Sequence, residues 1–190
     1  MIALSDMKKL KDAQVHKETR ERDVFNEQKK ELISQIEGMH DLLHNYAETI
    51  TYAKENHINL DFTDGFNVSK TIPGLDVNGE TQYMFRRDSD SFRSSDGNHH
   101  YLENLAVTIS ENVNNKEVYV HFPVKEGFDF NSPAMNQDPI NPQKREYQLD
   151  TLKYFIKFAD HYFSELEQKV SKAMQKYGLT SHEEEEEEER

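Results

Sequence analysis

Apolar residues recur at alternating spacings of three and four positions in both flanks of this chain. The N-terminal series is Leu32, Ile36, Met39, Leu43, Tyr46, Ile50 and Ala53. The C-terminal series is Leu149, Leu152, Ile156, Ala159, Phe163, Leu166, Val170, Ala173 and Tyr177. A mean repeat of about 3.5 residues keeps each series on one stripe of a helix and is typical of paired, supercoiled helices. The pattern predicts two long helices that pack together through these seams.

The borders of the helical flanks carry weaker signals. Leu4, Met7, Leu10 and Val15 form a thin apolar stripe, and residues 17–23 contain no apolar side chain. This N-terminal segment either continues the first helix as a solvated arm or forms a short separate helix. At the other border, Gly178 directly follows the last seam residue and is typical of a helix C-terminal stop.

The residues that break helices are concentrated between the two flanks. All five prolines lie between residues 73 and 142, and five of the seven glycines lie between residues 65 and 127. Since proline and glycine both disfavour helix interiors, the chain divides into a helical flank, a punctuated middle and a second helical flank.

Alternating apolar residues predict three hairpins within the middle segment. The first joins residues 58–62 to 66–68, the second joins 75–77 to 81–85, and the third joins 105–109 to 118–122. Asn78-Gly79 is the strongest turn signal, because both residues tolerate the positive φ angles of a tight hairpin. Two long loops remain, at about 87–100 and 123–145, and loops of this length are often functional or mobile.

These patterns predict an α+β protein whose long N- and C-terminal helices pair as an antiparallel coiled coil. The helices flank an inserted, antiparallel β-rich head of about four to six strands. The expected units are a helical arm at 1–56, the head at 57–145, the second helix at 146–178 and a disordered acidic tail at 179–190. The pattern leaves open whether the seams pair within one chain or between two chains, and whether the tail is natural or an artificial addition.

Composition and charge narrow the class of protein. With 35% hydrophobic and 31% charged residues, the 190-residue chain is too polar for a compact globule and suits an elongated structure. The run Glu183–Glu189 with Arg190 contributes −6 of the net charge of −13, so the remainder is an ordinary acidic surface. The absence of cysteine excludes disulfides and cysteine nucleophiles. No apolar run suits a signal sequence or a membrane span, so we expect a cytoplasmic protein without membrane contact.

The histidines are the first candidates for chemistry. His40 and His44 have the spacing of metal ligands on a helix, but the glutamate that a zinc protease needs beside the first histidine is absent. His99, His100 and His121 could form a metal or acid–base site with nearby carboxylates, although a polar loop is the simpler interpretation. We therefore predict no catalytic residue, no bound metal and no cofactor.

Arginines and aromatic residues interleave in one segment of the middle, at Phe85, Arg86, Arg87, Phe92 and Arg93. Arginine forks beside aromatic rings suit contacts with phosphate or single-stranded nucleic acid. Asp88, Asp90 and Asp96 neutralise the segment, however, and strong nucleic-acid binding requires a basic footprint. We expect this segment to contact a protein partner or a ligand, without direct nucleic-acid binding.

The strongest signals therefore concern helix pairing. We predict a non-enzymatic protein-binding or assembly protein, a homodimer whose coiled-coil stalk carries a β head that engages a protein partner. The helix or oligomer seam consists of Leu32, Ile36, Met39, Leu43, Tyr46, Ile50, Leu149, Leu152, Ile156, Phe163, Leu166 and Val170. Two alternatives remain: an acidic inhibitor that mimics nucleic acid and blocks a DNA-handling enzyme, and a metal-dependent hydrolase that uses histidines and carboxylates.

Overall fold

The computed structural model describes residues 1–62, 66–71, 81–86, 91–93, 99–101, 105–111, 116–122 and 142–180. Within these ranges the helices are α1 (Leu4–Glu37), α2 (His40–Glu55) and α3 (Pro142–Lys176). The strands are β1 (Asn67–Thr71), β2 (Thr81–Arg86), β3 (Ser91–Arg93), β4 (His99–Tyr101), β5 (Ala106–Glu111) and β6 (Lys116–His121). Long helices in both flanks and an antiparallel sheet between them confirm the predicted α+β class.

Four strands form one antiparallel sheet in the order β1–β2–β5–β6, and β3 pairs with β4 in a separate two-stranded sheet. Along one row of the larger sheet, Val68, Phe85, Val107 and Val120 are direct neighbours. Phe85 and Val107 are completely buried, because this face of the sheet packs against the helices. The third predicted hairpin is confirmed as the β5–β6 pair.

Three parts of the middle segment differ from the predicted pattern or lie outside the described residues. Residues 58–62 do not form the predicted strand: the positive φ of 55° at Asp61 interrupts an extended backbone, and Phe62 packs against the core. Part of the predicted loop at 87–100 forms the β3–β4 pair. The predicted strand at 75–77 lies outside the described residues.

A turn divides the N-terminal helical flank. α1 ends at Glu37, and the Met39 N–H donates to the Ile36 carbonyl at 2.9 Å, a three-residue spacing that interrupts the α-helical pattern. Gly38 lies at this break and has the low helix propensity expected there. The apolar series nevertheless continues into α2, so the turn leaves the buried face on the same side.

The limits of α3 follow from its terminal residues. The helix begins at Pro142, inside the second predicted loop, where a residue without an N–H is accommodated in the first turn. It ends at Lys176, and Gly178 then adopts a left-handed conformation with φ of 71°, as the sequence predicted for a helix stop.

Aromatic side chains join the helices to the sheet. The Tyr46 ring of α2 lies 5.2 Å from the Phe163 ring of α3 and 6.2 Å from the Phe85 ring of β2, measured between centroids. Phe66, just before β1, stacks on Phe155 of α3 at 4.8 Å. Every predicted seam residue except Leu149 belongs to this cluster, fully or partly buried. Because the seams pack against the sheet as well as each other, their coiled-coil form stays a prediction.

The N-terminal helices and α3 run in the same direction, which corrects the antiparallel expectation. Lys29 lies beside Gln148, with Nζ and Oε1 3.2 Å apart, and Tyr46 lies beside Phe163 further along both helices. Strand β6 ends beside the same part of α1, since the Phe122 ring centroid is 5.3 Å from Lys29 Nζ, and the first turns of α3 lie there as well. Seam spacing cannot reveal this direction, because the repeat is the same either way.

The first part of α1 protrudes from the core. All residues from 4 to 24 are exposed, whereas Phe25 and Lys29 on the following turns are buried. At 1.5 Å per residue this arm is about 31 Å long. Of the two alternatives for this segment, the solvated continuation of the first helix is the one observed. No described helix combines the length and the apolar character needed to cross a membrane.

Candidate functional site

The two ends of the parallel helix pair are packed differently. At the closed end, defined by Lys29, Arg145 and Gln148, these three polar residues are at most 7% exposed. The Lys29 ammonium lies 5.6 and 5.3 Å from the ring centroids of Phe25 and Phe122, and it donates to Gln148 Oε1. Two aromatic faces and an amide oxygen therefore compensate the loss of water around this charge.

The open end is where α2 and α3 terminate, and both helices finish with the same cap. The Ile58 N–H donates to the Ala53 carbonyl of α2 at 2.9 Å, and the Leu179 N–H donates to the Met174 carbonyl of α3 at 2.9 Å. This bond across six residues defines the Schellman motif, in which the residue before the donor is left-handed. The motif directs the donor residue back towards its own helix, and it brings both apolar residues to the same end of the molecule.

The left-handed residue of the α2 cap is a strained one. Gly178 adopts φ of 71° in the α3 cap without penalty, because it has no Cβ. His57 adopts φ of 56° in the equivalent position of α2, and Asp61 adopts φ of 55° four residues later. A residue with a Cβ loses about 1–2 kcal/mol in this conformation. Such strain is concentrated at binding sites and switch regions, which makes the loop at 57–61 a candidate functional segment.

A cavity of about 1050 Å³ opens between the two caps, and we call it the open-end groove. Its walls are the last turns of α2 and α3, the loop at 57–61, and Lys70 and Tyr83 of the sheet. Four of its lining residues are exposed apolar or aromatic side chains: Tyr52 (60%), Ile58 (47%), Tyr177 (77%) and Leu179 (56%). Exposed large side chains grouped around a concave surface are typical of a site that binds another molecule.

A second cavity, of about 860 Å³, continues from the groove along the α2–α3 seam. It shares Thr49, Val170 and Met174 with the open-end groove. Phe163 also lines the second cavity, and this seam residue is only half-buried. The seam between α2 and α3 is therefore open along one side, and the groove extends the surface available to a partner.

The charges around the open-end groove favour a basic ligand group. Glu48, Glu55 and Asp61 line the groove, and Lys70 and Lys176 offset part of their negative charge. Because the helices are parallel, the C-terminal ends of α2 and α3 both lie here, and each adds roughly half a negative elementary charge. The groove thus combines apolar surface with a negative electrostatic potential.

The predicted partner-contact residues are distributed over different environments. Phe85 is completely buried in the core, and this burial removes it from any contact surface. Arg86 is exposed at the end of β2, and Phe92 and Arg93 belong to β3. Arg87 lies outside the described residues. Alternation along β2 explains why Phe85 is buried and Arg86 is exposed, since adjacent strand residues point to opposite faces.

His40 and His44, the paired histidines of α2, each contact a neighbouring carboxylate. Their rings stack at 6.1 Å with an interplanar angle of 9°. His40 Nδ1 lies 3.3 Å from Asp41 Oδ1, and His44 Nε2 lies 3.2 Å from Glu48 Oε2. Parallel rings that each contact a separate carboxylate do not converge on one metal ion.

The other candidate histidines lie on two different sheets. His99 and His100 belong to β4, whereas His121 ends β6 of the larger sheet. Among the residues that the structure describes, no group of three or more histidine, aspartate or glutamate side chains could hold a metal ion.

Among the described residues, shifted pKa values arise from local burial and pairing. Burial raises the pKa of Tyr46 to about 12 and lowers the pKa of His121 from its usual value. A hydrogen bond with His40, assisted by the charge of Lys116, lowers the pKa of Asp41. Desolvation of a single group explains the first two shifts, and an acid paired with a base is not needed.

Sequence reasoning did not identify the open-end groove, because its residues come from the ends of two helices, a loop and the sheet. The available signals were Tyr52, which lies off the seam, and Gly178, which marks the end of α3. Neither signal shows that both helices end side by side. Comparisons with protein-family models, with curated proteins and with solved structures find no match to this chain.

Proposed function

We propose that this chain is a non-enzymatic, cytoplasmic protein-binding and assembly protein that forms a homodimer and holds a protein partner in the open-end groove. The observation that supports the groove as the binding site is its exposed apolar surface, at Tyr52, Ile58, Tyr177 and Leu179. Covering such side chains removes apolar surface from water, which is the main favourable term in protein association. Tyrosine is also enriched among the residues that dominate binding energy.

The chemistry of the groove defines the partner segment. Ile58 and Leu179 are held in place by the two caps, so this part of the surface is formed before a partner arrives. Glu48, Glu55 and Asp61 add negative charge beside the apolar surface. We therefore expect a segment with aliphatic or aromatic side chains next to a lysine or an arginine.

A library of random displayed peptides tests the groove without assuming a partner. We expect peptides selected on the wild-type protein to combine apolar residues with lysine or arginine. Tyr52→Glu combined with Leu179→Glu places charge on the apolar surface and should weaken their binding by roughly tenfold or more. Fluorescence anisotropy with labelled peptides measures the change.

The matched control is Tyr119→Glu, because Tyr119 is a 41% exposed tyrosine on β6 and does not line the groove. The control should bind the selected peptides as the wild type does, and circular dichroism should show that both variants are folded. Equal binding by the wild type and the double variant would exclude the groove as the binding site.

The two alternative functions gain no support from the described residues. A mimic of nucleic acid requires an acidic stripe, but α1, whose residues 4–24 are all exposed, carries eight acidic and eight basic residues. A metal-dependent hydrolase requires convergent ligands, and the described histidines and carboxylates do not converge on a metal site. We therefore propose neither.

A further inference from the structure

The second cavity, which we call the seam cavity, is bounded by two helices. Its described lining comes from residues 42–49 of α2 and residues 163–175 of α3. Inside an α-helix each backbone N–H and C=O is bonded within the helix, so these walls offer few backbone partners to a bound segment. A segment that becomes buried here must satisfy its own backbone groups. An α-helix does so, whereas an extended strand does not.

The spacing of the apolar residues in the seam cavity also suits a helical occupant. Phe163, Val170 and Met174 recur at intervals of seven and four along α3, and all three are half-buried. Leu42 and Tyr46 are four residues apart on α2, and Leu42 is 55% exposed. Such repeats on two parallel helices leave recesses that accept the side chains of a third helix with the same repeat. The α3 wall is about 18 Å long, which matches roughly twelve helical residues.

Negative charge is concentrated at one end of the two cavities. In the described lining of the seam cavity the charged residues are Glu167 and Lys172, which balance. In the open-end groove the lining contains three carboxylates and two lysines, and the C-terminal ends of α2 and α3 bring the net charge to about −2. A helix placed antiparallel to α2 and α3 would bring its positive N-terminal end to this region. A parallel helix would add a third negative end.

We propose that the partner segment is an amphipathic α-helix of about twelve residues that lies in the seam cavity antiparallel to α2 and α3. Its apolar residues, spaced three and four apart, contact Phe163, Val170 and Met174. Lysine or arginine in its N-terminal half lies beside Glu48 and Glu55 of the open-end groove. The inference rests on the proposed function and adds the conformation, length and direction of the partner segment.

A proline substitution tests the helical conformation. The probe is a labelled peptide selected on the wild-type protein from the displayed library. Proline at a central polar position of this peptide should weaken binding by roughly a hundredfold, because proline is strongly unfavourable inside a helix. Alanine at the same position is the matched control and should bind as the parent peptide does. Fluorescence anisotropy measures both, and equal binding by the two peptides overturns the helical conformation.

A pair of leucine variants tests the location. Leu42 lines the seam cavity and not the open-end groove, so Leu42→Glu should weaken binding of the selected peptide by roughly tenfold or more. Leu10→Glu is the matched control, because Leu10 is 52% exposed on α1 and lines neither cavity. Circular dichroism should show that both variants are folded. Wild-type affinity in Leu42→Glu overturns the location in the seam cavity.

Spin labels test the direction, since the chain contains no cysteine that would take up the label elsewhere. Lys54→Cys lies at the end of α2 and Asp160→Cys lies on α3 one turn before the seam cavity, and both positions are exposed. A nitroxide on Lys54→Cys should broaden the NMR signals of the N-terminal peptide residues. A nitroxide on Asp160→Cys should broaden those of the C-terminal residues. The reverse pattern overturns the antiparallel direction.

Failure of this inference can be distinguished from failure of the proposed function. A library that yields no binder, or unchanged binding in the double variant of Tyr52 and Leu179, overturns the open-end groove and this inference with it. Binding that requires Tyr52 and Leu179 but tolerates both the proline peptide and Leu42→Glu overturns the helical partner alone.

Discussion

The closed and open ends of the helix pair differ in which side chains they bury. At the closed end the side chains of Lys29 and Gln148 are buried among aromatic rings, and at the open end Tyr52 and Tyr177 are exposed around a cavity. At the closed end the buried Lys29 ammonium has interaction partners within the protein, since it contacts two aromatic rings and an amide oxygen. The open end leaves large apolar side chains without such cover, which is why the binding proposal belongs there.

Chain topology creates this difference. Parallel helices bring the beginning of α3 to one end of the molecule and the last turns of α2 and α3 to the other. The closed end is sealed by Phe122, the residue that follows β6. The caps at the open end use Ile58 and Leu179 to terminate their helices, and they leave space between them. Stability and binding are therefore expected to depend on different ends.

The largest expected contrast comes from removing one aromatic side chain at each end. Phe122→Ala deletes a buried ring at the closed end and should lower the free energy of unfolding by about 3–5 kcal/mol. Tyr177→Ala at the open end should change it by less than about 0.5 kcal/mol, because that ring is 77% exposed. Urea denaturation followed by circular dichroism measures both. Equal losses would mean that the two ends contribute equally to stability.

A smaller contrast is expected between two lysines that lie over aromatic rings. Lys29→Ala removes a buried donor to Gln148 Oε1 and should lower the free energy of unfolding by about 1–3 kcal/mol. Lys70→Ala removes an exposed ammonium 5.8 Å from the Tyr83 centroid and should lower it by less than about 1 kcal/mol. Urea midpoints provide the comparison, and a larger loss for Lys70→Ala would contradict it.

The two caps of the open end should respond with opposite signs. His57→Gly relieves the left-handed strain and should raise the free energy of unfolding by about 1 kcal/mol, whereas Gly178→Ala introduces strain and should lower it by a similar amount. A Cβ at Gly178 meets no atom within 4 Å, so conformation is the whole effect. Gly38→Ala is the control: its φ of −69° is helical, and alanine should be neutral or stabilising there. Thermal unfolding ranks the three variants.

The smallest expected effect is a dependence of stability on pH. Burial lowers the pKa of His121 in the folded state, so the unfolded chain binds more protons as the pH falls through the unfolded value of about 6.5. The contribution of this residue to stability is therefore lost below that pH. His121→Gln should reduce the difference between urea midpoints at pH 7.5 and 5.5, and His16→Gln on the exposed arm should leave it unchanged.

The sequence predicted those elements that depend on neighbouring residues. The heptad series and the distribution of proline and glycine located the helical flanks, and Gly178 lies where α3 ends, as predicted. The helix begins at Pro142, before the predicted boundary at residue 146. The β5–β6 hairpin was equally predictable from its alternating residues. The break at Gly38 was not, because the apolar series continues through it without a change of spacing.

Predictions from local sequence pattern were wrong for residues whose environment is set by distant parts of the chain. Phe85 resembled a contact residue because arginines surround it in sequence, yet strand alternation buries it and leaves Arg86 exposed. Residues 58–62 alternate as a strand does, but the cap of α2 and the left-handed Asp61 prevent extension. Packing against the helices decided the first outcome, and the cap of α2 with the left-handed Asp61 decided the second.

By itself, the sequence determined the fold class, the helical flanks and the absence of cysteine chemistry, because propensity, periodicity and composition act over a few residues. Only the tertiary structure decided the direction of the helix pair, the burial of Lys29 and the position of the open-end groove. A heptad repeat is the same in parallel and antiparallel helix pairs, so it cannot predict their direction. A groove built from four separate segments forms only when the sheet brings those segments together.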